Sequence, residues 1–265
     1  MDTPTFGAQL REWRQRRRLS QQALAELAEL STRHLSFLET GRAAPSREMV
    51  LRLTDRLSVP LRNRNPMLEA AGYAPLFRQR RLDAPEMQAA RRSIELLLER
   101  VMPYPALAFD RNYDVVAANP AVSLLLEGIA PSLLQPPINA VRVSLHPDAM
   151  ASRIVNFAQW RGHILDRLRR QWEQTGDDAL GELLREVSTY PRPPDGPECG
   201  TAHDPAGVVL PLQLRTPAGV MSFISVVSVF GTPHDILLQE LAIESFFPAD
   251  DFTARALASL AQKAP

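Results

Sequence analysis

Over roughly the first seventy residues, apolar positions recur at intervals of three and four: Phe6, Leu10 and Trp13, then Leu24, Leu27 and Ala28, then Leu35 and Leu38, then Met49, Val50, Leu53 and Leu57. That period gathers side chains onto one face of a helix. Ser20, Ser31 and Ser46 each stand just ahead of such a stripe, where a hydroxyl can accept an unpaired amide of the first turn. Gly41 can take the left-handed conformation that ends a helix, and Pro60 closes the segment after Ser46. The pattern predicts five helices: one from Phe6 to near Leu19, three opening after the serines, and a fifth from near Leu61 to Gly72.

The grammar then changes. "AGYAPLFRQRRLDAP" breaks the period, and a connecting helix is predicted from about Pro85 to Val101, with Ile94, Leu97, Leu98 and Val101 on one side. Two β-rich runs, 106–109 and 113–118, flank the turn "DRN", and Asn119 is placed to start a helix. Ile154, Phe157, Ile164, Leu165 and Leu168 predict a central helix, and Asp177 opens another through Leu180, Leu183, Leu184 and Val187. After the loop "PRPPDGPECG" come three strand candidates, "GVVLPLQLRT", "VMSFISVVSVF" and "DILLQELAIESFF", and a final helix from about Asp250. Ser222, Ser225 and Ser228 do not alternate strictly, which predicts one bulge in the second of these strands. Two strands, helices and three antiparallel strands make one sheet with helices across one face, enclosing a cavity between them. The expected class is α+β: an all-α unit over 1–74, a linker and connecting helix over 75–102, and a sheet-and-helix unit over 103–265.

Charge sharpens this division. Net charge is zero overall, yet residues 1–81 hold fifteen arginines against eight acids, so the remainder is acidic by the same amount. A basic front fits a polyanionic partner. One cysteine, Cys199, excludes an internal disulfide framework, and the chain reaches Arg11 without an apolar leader, so a cytoplasmic setting is expected. The longest uncharged run, between Arg215 and His234, is bounded by prolines and interrupted by serines, so no membrane span is expected.

The second and third helices are short and joined by a tight turn, the helix-turn-helix order in which the second of the pair enters the DNA major groove. Thr32, Arg33, Ser36 and Phe37 share its outward face. Arg33 can bond guanine bidentately, Thr32 can reach a base edge or a phosphate, and Phe37 can rest on a thymine methyl or pack on its own neighbours. Gln21, with its amide at a helix start, and Arg42 and Arg47 are the candidate phosphate contacts. "LSQQALAELAELSTRHLSFLETGRAAPS" resembles the DNA-binding domain of the lambda-repressor-like, or XRE, regulators, and "RHLSFLETGRAAPSREMV" the branch carrying an MmyB-like ligand-binding domain. "PYPALAFDRNYDVVAAN", "LHPDAMASRIVNFAQWR", "GDDALGELLREV" and "FGTPHDILLQELAIESFFPADDFTA" resemble that MmyB-like, PAS-like domain. The resemblance implies a bacterial transcription regulator on double-stranded DNA that senses a small apolar, fatty-acid-like ligand. One reading helix covers only a short half-site, so a homodimer on a palindrome is expected, with no other cofactor.

Phe109, Val116, Phe157, Trp160, Ile164, Phe223 and Val227 are the expected apolar lining of the cavity. A ligand carboxylate would need a cation, available from Arg142, His146, Arg153 or Arg161, with Arg153 beside Asn156 preferred. The alternative is a second unit that only binds protein or dimerises. Nucleophile-elbow, phosphate-loop, dinucleotide and CxxC motifs are absent, and Cys199 with His203 makes only half a metal site, so catalysis is not expected.

Overall fold

The computed structural model describes residues 4–78, 80, 84–193, 210–230 and 235–263. It divides into two compact units, one comprising Met1–Arg81 with Glu173–Gly176 and Thr232–Gln239, the other Leu82–Trp172, Asp177–Gly231 and Glu240–Pro265.

The first unit is built on α1 (Phe6–Arg16), α2 (Gln21–Leu27), α3 (Thr32–Glu39), α4 (Arg47–Arg56) and α5 (Leu61–Ala70). The hydroxyls of Ser20, Ser31 and Ser46 accept the amides of Ala23, His34 and Met49 at 3.0, 3.1 and 3.2 Å, as a helix cap should. Gly41 has φ 72°, the left-handed exit from α3. Helix α1 stops at Arg16, short of the expected Leu19, because Arg18 turns left-handed at φ 55°. Leu10, Leu24, Leu35, Val50, Leu53, Met67 and Leu68 form the fully buried core, whereas Leu27, expected inside, lies 47% exposed at the end of α2. Gly7 marks the closest helix approach: a β-carbon there would stand 2.5 Å from the carbonyl oxygens of both Leu38 and Glu39. Only glycine lets α1 cross the end of α3 so closely.

The remaining elements, in chain order, are α6 (Gln88–Arg100), β1 (Ala106–Phe109), β2 (Val115–Ala118), α7 (Ser123–Leu126), α8 (Ala140–Leu145), α9 (Phe157–Thr175), α10 (Asp178–Ser188), β3 (Leu212–Thr216), β4 (Gly219–Val229), α11 (Ile236–Glu240), β5 (Ala242–Pro248) and α12 (Asp251–Lys263). The strands form one antiparallel sheet in the order β2-β1-β5-β4-β3, so the overall class is α+β. Helix α6 packs on β1 and β2, and α12 on β4 and β5. The main core joins Leu107, Phe109, Met221, Phe223 and Phe246 of the sheet to Val141 of α8, Phe157, Trp160, Ile164 and Leu168 of α9, and Leu180, Leu183 and Val187 of α10.

Three local expectations are corrected. Residues 236–240 are helical, so the last strand begins at Ala242 rather than near Asp235; the Asp235 carboxylate accepts the Leu237 amide at 2.9 Å and opens a helical turn. Strand β4 pairs with β3 and β5 without interruption, so it holds no bulge. The register shift lies elsewhere: Ala108 faces Ala117 but Phe109 faces Val115, which leaves Val116 as the extra residue of β2. At "DRN" the Asp110 carboxylate accepts the amides of Asn112 and Asp114 at 2.8 and 3.0 Å, and the positive φ falls on Tyr113. Asn119 does precede a helical turn, but its buried side chain is used otherwise. It accepts the Ala106 amide and donates to the carbonyls of Leu98 and Tyr104, tying α6 to β1. Residues 194–209, with Cys199 and His203, and His234 lie outside the described residues.

Candidate functional site

Two surfaces with different chemistry stand out. The first is the outer side of α3. Burying Leu35 and Leu38 on one side turns Thr32 and Arg33 to solvent and leaves Ser36 and Phe37 half-buried. The guanidinium carbons of Arg33 and Arg42 stand 5.3 and 5.9 Å from the centre of the Phe37 ring. The ring thus serves as a platform holding two exposed cations close together. The Arg42 amide donates to the Phe37 carbonyl at 2.9 Å, which fixes the turn after α3, and Arg47 is exposed in the first turn of α4.

Gln21 is placed differently from the phosphate contact expected of it. Its side-chain amide donates to Glu39 Oε2 at 2.8 Å. Glu39, whose side chain is 2% exposed, also accepts Arg14 Nε at 2.6 Å and Arg14 Nη2 at 3.1 Å, while Arg14 Nη1 donates to the Leu19 carbonyl at 2.8 Å. Burial alone would raise the Glu39 pKa; the bonds from Arg14 and Gln21 outweigh it and hold the carboxyl below its usual value. This cluster ties α1 and the start of α2 to the end of α3. Sequence reading missed it, although Arg14 falls four residues after Leu10, on the stripe that buries α1.

The second surface is internal. A cavity of about 120 Å³ lies between the sheet and the helices of the second unit, lined mainly by Leu107, Val122, Val141, Trp160, Ile164 and Phe246. Trp160 and Ile164 are the expected residues that line it; Phe109, Phe157 and Phe223 are buried in the same core beside it. Val116 and Val227 do not line it. The extra residue in β2 puts Val115 and Ala118 on the cavity side with Leu107 and leaves Val116 38% exposed, and Val227 falls in the solvent-facing end of β4, 44% exposed. Asn156 accepts the Gln213 amide at 3.1 Å and donates to the Pro211 carbonyl at 2.7 Å, bracing β3.

Among the lining residues the charged ones are Arg167 and Glu244, neither of which sequence reading singled out. Arg167 Nη1 donates to Glu244 Oε1 at 3.2 Å, and the Ser225 hydroxyl donates to the same oxygen. The Arg167 guanidinium lies 5.1 Å from the centre of the Tyr113 ring. Burial would lower the Arg167 pKa, but Glu244 and Tyr113 beside it outweigh that and raise it. The legible signal was spacing, since Arg167 follows Trp160 by seven residues and Ile164 by three on the inward side of α9. The cations expected to meet a carboxylate are engaged elsewhere. Arg153 donates to the carbonyls of Leu124, Leu125, Glu127 and Arg215, Arg142 forms a two-bond pair with Glu186 at 2.8 and 2.7 Å, and Arg161 donates to the Ser188 carbonyl. His146 lies edge-on to Tyr190.

A short-helix pair presenting an exposed polar surface, followed by a sheet unit with an internal apolar cavity, is the order of a DNA-binding unit and a ligand-binding unit. Comparison with family models agrees: a helix-turn-helix domain matches residues 5–67, and the MmyB-like transcription regulator ligand binding domain matches residues 90–260. The chain belongs to the MmyB-like transcription regulator family. A comparison with curated proteins found no match. Among the described residues no helix is long and apolar enough to cross a membrane.

Proposed function

We propose that the protein is a homodimeric regulator acting in the bacterial cytoplasm. It reads a palindromic operator through Thr32, Arg33, Ser36 and Phe37 of α3, with Arg42 and Arg47 on the phosphates, and it responds to a small fatty-acid-like ligand held against Trp160 and Ile164. The observation that carries the DNA half is the exposed α3 surface on which Arg33 and Arg42 flank Phe37. Gln21 serves the reading helix from behind, through Glu39. The sensing half rests on the apolar cavity of the second unit. A half-site read by one helix is short, so two copies a helical turn apart supply selectivity. Leu96 and Leu97 of α6, each about half exposed, support a dimer surface on that helix. Two measurements test the proposal together: selection of bound duplexes from a random pool, and mass spectrometry of what denatured purified protein releases. The expected results are an inverted repeat and an acyl compound. A pool that stays random sinks the DNA half, and an empty extract combined with no binding of added acyl compounds sinks the sensing half in favour of a purely protein-binding unit.

A further inference from the structure

The polar end of the cavity constrains which group the ligand carries. Arg167 and Glu244 compensate each other's charge, and no other charged side chain lines the cavity among the described residues. A carboxylate entering beside Glu244 would leave one uncompensated negative charge in an apolar lining, which is strongly disfavoured. Hydrogen-bonding capacity nonetheless remains. The buried Nε of Arg167 has no partner, and the donors from Arg167 and Ser225 converge on Oε1 of Glu244. An unpaired buried donor calls for an acceptor. A neutral carbonyl supplies one without adding charge, and an amide also offers an N–H to Glu244 Oε2. Size limits the chain: cavities of about 150 Å³ hold one benzene, so this smaller one favours a short acyl chain.

Resting on the reading of this cavity as a ligand site, we propose that it selects a neutral short-chain acyl amide over the corresponding carboxylate, with Arg167 and Glu244 as the specificity-determining pair. The test is titration of the full-length protein with hexanamide and with hexanoate at pH 8, followed by NMR of the Trp160 indole or by calorimetry. Hexanamide is expected to bind at least tenfold tighter than hexanoate. In Glu244→Gln, where the Arg167 charge is no longer compensated, that order should reverse. Hexanoate binding the unaltered protein as tightly as hexanamide overturns the proposal while leaving the ligand site standing; failure of both to bind overturns the two together. The comparison on the unaltered chain requires no variant to fold.

Discussion

Among the described residues each unit contains a buried arginine–glutamate pair, Arg14–Glu39 and Arg167–Glu244, and the two differ in how completely they are bonded. In the first unit Arg14 uses Nε, Nη1 and Nη2, and Glu39 uses both oxygens, on Arg14 and Gln21. In the second, Arg167 leaves its buried Nε unpartnered and faces a cavity beside Glu244. A buried pair whose guanidinium nitrogens and carboxylate oxygens are each engaged within the protein acts as a clamp. An unsaturated pair at a void retains capacity for recognition. The contrast assigns the first pair to positioning α3 and the second to selecting what enters the sheet unit.

The largest expected break in the comparison is Glu39→Ala. It strands Arg14 without its partner, so it should destabilise the first unit by about 3–5 kcal/mol, whereas Glu244→Gln keeps a hydrogen-bond acceptor beside Arg167 and is read by its ligand preference. Hydrogen exchange of the α1–α3 amides reads this directly; protection unchanged in Glu39→Ala would contradict the clamp. Gly7→Ala is next. Its new methyl meets two backbone carbonyls that cannot yield, so a loss of about 1–3 kcal/mol is expected, seen as a lower first unfolding transition. A neutral result would mean α1 can shift away from α3. A smaller effect comes from acid. Because the Glu39 pKa is depressed in the folded chain, its contribution is fully present above its ordinary value of 4.5 and is lost as pH falls through the folded value. Acid unfolding of the first unit should therefore be steeper in the unaltered protein than in Glu39→Gln, and identical acid profiles would exclude Glu39 as a source.

The helical unit was largely legible in the chain because its signals are local. Ser20, Ser31 and Ser46 cap helices through atoms three residues away, and Gly41 terminates α3 by its own φ. The sheet unit was legible in order but not in detail. "DILLQELAIESFF" is apolar at both periods, and only the Asp235 cap distinguishes its helical start from the strand that follows. Val116 was misplaced because one extra residue in β2 reverses the inside and outside positions beyond it, and that depends on pairing with β1. Arg153 and Arg167 look alike in sequence. What separates them is which carbonyls lie within reach after folding: four bind Arg153, while Arg167 meets Glu244 beside a cavity.

Arg33→Ala and Arg42→Ala, compared on the selected operator and on random duplex across a salt series, test the central assignment most directly. Loss of Arg33 should cost about 1–3 kcal/mol on the operator and relax one base position while leaving random-duplex binding nearly unchanged; loss of Arg42 should weaken both duplexes alike and lower the salt slope by about one. Equal losses on the two duplexes for Arg33→Ala would contradict a reading role for the exposed side of α3.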